Sequence, residues 1–145
     1  MIARTPQELY DMVADVTRMG EWSPICKACW WEEGNRPEVG ATFKGRNERP
    51  ERTWETVSEV VAADPGKEFA WKVTQPPTVA RWSYTFRGVE GGTEVTETWE
   101  LPEEGTAFFE KMFGDDAQKE IGLRQGMAKD GIATTLSAMK KAAEG

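Results

Sequence analysis

Histidine is absent from all 145 residues. That absence removes Ser-His-Asp triads, Cys-His pairs and imidazole metal ligands at once. Acid–base chemistry in this chain has to run on Asp, Glu, Tyr, Lys or Cys. No run of 18 apolar residues occurs, so no membrane-spanning helix is expected. The opening Met1-Ile2-Ala3-Arg4-Thr5-Pro6 lacks the apolar stretch of a secretory signal, and a cytoplasmic location is expected. Basic clusters are missing too. With a net charge of −7, neither nucleic acid nor an anionic membrane is an expected partner. Gly-rich phosphate loops, G-x-S-x-G elbows and metal-ligand clusters are also missing, so no metal or other cofactor is implied.

Cysteine is scarce. The only two, Cys26 and Cys29, stand in Pro24-Ile25-Cys26-Lys27-Ala28-Cys29. A zinc site needs two more ligands, and no other Cys or His exists to supply them. A thioredoxin-like pair opens a helix in a βαβ unit, whereas this motif follows a proline and runs into Trp30-Trp31, read as a strand start. The expectation is two ordinary reduced thiols that are not bonded to each other.

Tryptophan, by contrast, is abundant, with seven residues. Each brings a large apolar body and an N–H that needs a partner. So many in one domain-sized chain predict a thick core or an aromatic-lined cavity; residues 1–145 read as a single domain.

The strongest periodic signal lies in the last forty residues. From Glu104 to Ala143 the chain reads as helix, interrupted at Gly114-Asp115-Asp116. Ala117, Ile121, Ala128, Ile132, Thr135, Leu136, Met139 and Ala143 fall on one stripe about 100° wide. Asp115 and Gln118 form a capping-box pattern, which predicts the start of the long helix at Asp115. Phe108, Phe109, Met112 and Phe113 mark a short apolar helix before it. At the other end, Thr5, Pro6 and Glu8 open a helix by cap, proline and capping box. Leu9, Met12, Val13 and Val16 continue it, and Gly20 is read as its stop. Glu21-Trp22-Ser23-Pro24 reads as a turn or short helix.

Between these helices the period changes from helical to alternating. Turn signals at Gly34–Pro37, Glu48–Glu51, Asp64–Gly66, Gln75–Pro77 and Glu90–Gly92 separate six predicted strands, near 28–33, 39–47, 53–63, 67–74, 79–88 and 93–101. Short connections predict an antiparallel meander. Phe69, Trp71 and Val73 share one face, as do Trp82, Tyr84 and Phe86. Arg81, Ser83, Thr85 and Arg87 lie on the opposite, wet face. The predicted architecture is α+β: a curved antiparallel sheet wrapped around a long C-terminal helix, with small N-terminal helices closing one end.

The stretch Asp15-Val16-Thr17-Arg18-Met19-Gly20-Glu21-Trp22-Ser23-Pro24 resembles the D-x-x-R-x-x-x-W-x-P segment of polyketide cyclase/dehydrase-like proteins of the START and birch-pollen-allergen superfamily. Val39-Gly40-Ala41-Thr42-Phe43, Ala80-Arg81-Trp82-Ser83-Tyr84 and Gly91–Glu97 are similar to it as well. The resemblance implies a helix-grip fold with a hydrophobic cavity between sheet and long helix. It also implies a strand ahead of the first helix that pairs with the last strand of the meander; here at most Met1–Arg4 precede that helix. The edge at residues 93–101 is therefore expected to be covered by a second copy, as a homodimer, or by chain lying upstream. Within the signature, Trp22 is read as a plug between helices and sheet, and Asp15 and Arg18 as an i,i+3 pair.

By alternation Glu97 shares a face with Val95, Trp99 and Leu101. A carboxylate there must be paired, wetted or cavity-facing, and burial would raise its pKa toward that of a general acid or base. Asn47 shares the face of Ala41 and Phe43, and Tyr84 that of Trp82 and Phe86. The expected ligand-binding set is Trp22, Phe43, Asn47, Trp54, Trp71, Trp82, Tyr84, Glu97, Trp99, Ile132 and Leu136, with Glu97 the catalytic candidate. The first reading is binding or carriage of a hydrophobic small molecule: a lipid, a polyketide or another aromatic compound. The second is an aromatase/cyclase or dehydratase using Glu97, Tyr84 and Asn47. The third is a protein-interaction module of the chaperone-activator or toxin-like type.

Overall fold

A computed structural model describes residues 1–24, 26–32, 37–74 and 80–144. Helix α1 spans Pro6–Ala14 and opens as its sequence demands. The Thr5 hydroxyl accepts from the Glu8 amide at 3.1 Å, and the Glu8 carboxylate accepts from the Thr5 amide at 3.1 Å. The helix ends earlier than Gly20. Asp15 breaks it, and its carboxylate accepts from the Thr17 amide to cap a 3-10 helix over Val16–Glu21. Asp15 therefore serves as a cap. Arg18 pairs with Glu21 instead, through two bonds of 2.8 and 3.0 Å, because both side chains leave the same side of that tighter helix. Trp22 is buried at its end, with the Arg18 guanidinium 5.5 Å from the ring centre, as the plug reading requires.

Gly20 does a different job from stopping a helix. A Cβ there would lie 2.4 Å from the Lys27 carbonyl oxygen, so only glycine lets the 3-10 helix press onto the first strand. Six strands follow: β1 Cys26–Trp31, β2 Thr42–Arg49, β3 Arg52–Asp64, β4 Glu68–Val73, β5 Arg81–Val89 and β6 Gly92–Glu100. They form one antiparallel sheet in sequential order, as the short turns predicted. β1 starts two residues before the expected strand, so both cysteines lie inside it and Trp30-Trp31 close it. Of the predicted turns, the one at Gly34–Pro37 lies largely, and the one at Gln75–Pro77 wholly, outside the described residues.

The inner face carries Phe43, Val60, Phe69, Trp71, Tyr84 and Phe86, all buried. Tyr10 of α1 meets Phe69 and Phe86 edge-on, with ring centres 6.1 and 6.2 Å apart, which seats α1 on β4 and β5. The other face is not uniformly wet. Ser83 is buried there because its hydroxyl donates to Glu68 Oε2 at 2.6 Å, while Arg81 reaches the same carboxylate at 3.4 Å.

Helix α2 spans Glu103–Phe113, and α3 spans Ala117–Glu144 after a 3-10 turn at Gly114–Asp116. The long helix thus begins two residues after Asp115. Gly114 has a positive φ of +55°, open to glycine, that breaks the helix between α2 and α3, and Phe109 packs with Ala117 and Ile121 across the break. The α3 stripe is largely confirmed: Ala117, Ile121, Ala128, Thr135 and Met139 are buried. Ile132 and Leu136 are only half-buried; Ile132 borders the open space between α3 and β6, and Leu136 packs at the margin of the main core. At the N-terminus, Ile2 bridges Thr93 by two backbone bonds of 2.9 Å, covering the first inward residue of the β6 edge.

Candidate functional site

The long helix meets the sheet at β6, and between them lies a cleft of about 460 Å³. Such a volume is within the range of small-molecule sites. Glu97, Thr98 and Trp99 line it from β6; Gln125, Ala128, Lys129 and Ile132 line it from α3. On the sheet side, alternation turns Glu97 and Trp99 to one face, and Thr98 lies between them on the edge strand. The helix side follows from spacing, since 125, 128, 129 and 132 recur every three to four residues along one edge of the apolar stripe.

Glu97 is the polar centre of this cleft. It is 9 % exposed, and its Oε1 is buried without a hydrogen-bond partner among the described residues. Burial raises its pKa to about 8, while the hydrogen bond with Tyr84 acts in the opposite sense. Tyr84 stands directly across from it on β5. Burial, followed by the neighbouring Glu97 carboxylate, pushes the Tyr84 phenol well above its ordinary value. At neutral pH the Glu97 side chain is therefore mostly a carboxylic acid, able to donate to a carbonyl or phenol oxygen in the cleft. Trp99, Ala128 and Ile132 offer apolar surface, and Lys129 and Gln125 offer donors on the helix side.

The expected ligand set divides. Glu97, Trp99 and Ile132 come together in the cleft. Trp82 stands opposite Trp99, one strand further in, and Tyr84 reaches the site only through Glu97. Trp22, Phe43 and Trp71 are core residues: Phe43 and Trp71 have ring centres 5.9 Å apart, and Trp71 stacks on Tyr84 at 5.8 Å, while Trp22 lies under the Arg18 guanidinium. Those rings belong to the core and are not among the residues that line the cleft. Asn47 is buried but occupied, donating to Thr56 Oγ1 at 3.2 Å; Trp54 is its partner across β2 and β3, three strand positions from β6. Leu136 packs against the main core. Thr98, Gln125 and Lys129 escaped notice in the sequence because polar residues beside an apolar stripe look like ordinary solvated surface. Ala128 was counted as core.

A meander of six antiparallel strands with a long C-terminal helix and a cleft between them defines a helix-grip protein. The chain belongs to the family described as polyketide cyclase/dehydrase and lipid transport, whose model matches residues 1–144. It is similar to a polyketide-cyclase-like protein of Corynebacterium glutamicum, Cgl2372, at 46% identity over 99% of this chain and 86% of that one, with a TM-score of 0.69. It shares its fold with the di-domain ARO/CYC StfQ of the steffimycin biosynthetic pathway, at 17% identity and a TM-score of 0.73, over 99% of this chain and 48% of that one. The di-domain ARO/CYC BexL of the BE-7585A pathway is similar at 20% identity and a TM-score of 0.69, with 99% and 48% covered. No curated protein matches the chain. Among the described residues, no helix is long and apolar enough to cross a membrane.

Proposed function

We propose that this protein binds a flat, largely apolar small molecule in the β6–α3 cleft, with a carbonyl or phenol oxygen set against Glu97. The observation that carries this reading is the unpartnered Glu97 Oε1 at a cleft of about 460 Å³. A buried polar atom without a partner is costly, and a ligand oxygen would supply what the protein leaves out. Family membership and the likeness to Cgl2372 support a ligand-binding role. The aromatic core supports a cleft site over a deep cavity, since the rings on the inner face are in contact with each other.

The test is a titration with a panel of polycyclic phenols and quinones, read by tryptophan fluorescence. Quenching is expected in the native protein, together with its loss in Ile132→Trp, which fills the cleft from the half-buried helix face. An unchanged response in Ile132→Trp, or no response to any compound, would remove the cleft from consideration.

A second reading is favoured by one specific feature. A carboxyl with a pKa of about 8 holds its proton at neutral pH and is suited to general-acid catalysis of cyclisation or dehydration. Turnover of a bound polyketide-like compound that disappears in Glu97→Gln, with binding retained, separates the enzyme from the carrier.

A further inference from the structure

A second polar cluster lies at the opposite edge of the sheet. The Sγ atoms of Cys26 and Cys29 are 2.8 Å apart, although three positions separate the residues. Residues three apart on a regular strand point to opposite faces. Here the register with β2 shifts between Cys26 and Ala28: Cys26 stands opposite Asn47, and Cys29 opposite Gly45. Lys27 is the extra residue of a β-bulge, and the bulge turns both thiols to the same, inner face.

Three further features hold this arrangement. The Cys26 amide donates to Ser23 Oγ at 3.0 Å, which anchors the start of the strand. Gly20 admits the Lys27 carbonyl, so the 3-10 helix packs directly on the bulge. Gly45 leaves open the space beside the sulfurs; a Cβ there would lie 3.3 Å from Cys29 Sγ and 3.6 Å from Cys26 Sγ. The separation of the sulfurs is about 0.8 Å longer than a disulfide bond of about 2.05 Å, so closure needs only a small movement.

From this geometry we infer that Cys26 and Cys29 form a redox-active dithiol that closes reversibly to an intrastrand disulfide by exchange with a low-molecular-weight disulfide. The two thiols are differentiated. The hydrogen bond between the two sulfurs lowers the pKa of Cys26, and the same bond, together with burial, raises that of Cys29. The Cys26 thiolate attacks one sulfur of the small disulfide; that S–S bond breaks and one small thiolate leaves. Cys29 then gives up its proton, its sulfur attacks Cys26 Sγ, and the second small thiolate leaves. Two electrons and two protons have passed to the small thiols, and one S–S bond has replaced another.

Both residues are buried, at 6% and 7% exposed, but β1 is an end strand of the sheet, so only the sheet edge separates them from solvent on that side. A closed loop this short restrains the unfolded chain little, so the bond's effect is local: it freezes the bulge on which the 3-10 helix and Trp22 rest.

The experiment uses the full chain and glutathione disulfide, followed to constant mass, then denaturation, alkylation and intact mass measurement. The expected product is lighter by two hydrogens, resists alkylation at both cysteines and reverts fully with dithiothreitol. Cys29→Ser should stall with one glutathione attached to Cys26, and Cys26→Ser should react far more slowly. Full alkylation of both thiols after oxidant would overturn the inference, as would glutathione retained on both cysteines or disulfide-linked dimers. Equal glutathione uptake by the two single variants would overturn the assignment of Cys26 as the attacking thiol.

Discussion

Tyr84 and Glu97 face each other across β5 and β6, the buried phenol beside a carboxyl whose Oε1 has no hydrogen-bond partner among the described residues. Two acidic groups share one buried location, and each keeps its proton longer than it would in water. That makes Glu97 a pH-responsive group in the interior.

The first consequence is a stability that falls as pH rises. Glu97 has a folded pKa of about 8 against an ordinary value of 4.5, so the folded state binds more protons across that window. Stability is therefore unaffected by this group below about pH 4.5 and declines as pH rises toward 8, on the order of a few kcal/mol in total. Glu97→Gln should flatten that slope and be the more stable form at pH 8. Denaturant melts at pH 5, 6.5 and 8 measure it; parallel slopes in the two proteins would mean Glu97 ionises freely.

Tyr84→Phe should push Glu97 further from its ordinary value. The Tyr84 hydrogen bond is what lowers the Glu97 pKa against burial, so its removal leaves burial unopposed. A carboxyl-carbon NMR titration of Glu97 is expected to move to higher pH in this variant. A move to lower pH would show that the phenol does not donate to the carboxylate.

Along α3 the cost of truncation should track burial and not position in the helix. Met139 is fully buried, so Met139→Ala is expected to cost about 2–5 kcal/mol. Ile132 faces the cleft half-exposed, and Ile132→Ala should cost less than half as much. Lys140 is exposed, and Lys140→Ala should stay within about 0.5 kcal/mol. Thermal or urea melts rank the three.

Two glycines should respond to alanine with opposite signs. A Cβ on Gly20 meets the Lys27 carbonyl at 2.4 Å, and Gly20→Ala is expected to destabilise by about 1–3 kcal/mol. A Cβ on Gly126, in the middle of α3, meets nothing within 4 Å, and Gly126→Ala should stabilise by about 0.5–1 kcal/mol through helix propensity. A loss at both positions in urea melts would mean that α3 is packed on its outer side.

Local chemistry in the sequence was enough to determine the order of the main helices and strands, though not all of their ends. Thr5, Pro6 and Glu8 specify the start of α1 without help from the rest of the chain. Alternation over Trp82–Phe86 and Val95–Trp99 determined which residues enter the interior, Glu97 included, because a strand offers only two faces. What local pattern leaves open, packing decided. Arg18 found Glu21 and not Asp15 because α1 yields to a 3-10 helix at Asp15. Cys26 and Cys29 met because a bulge at Lys27 adds one residue to the strand, and the pattern of side chains carries no mark of it. Of the residues expected to bind a ligand, Glu97, Trp99 and Ile132 border the cleft and Phe43 and Trp71 pack in the core, for a similar reason. Whether aromatic rings line a space or fill it depends on the distance between sheet and helix, and only the tertiary structure sets that distance.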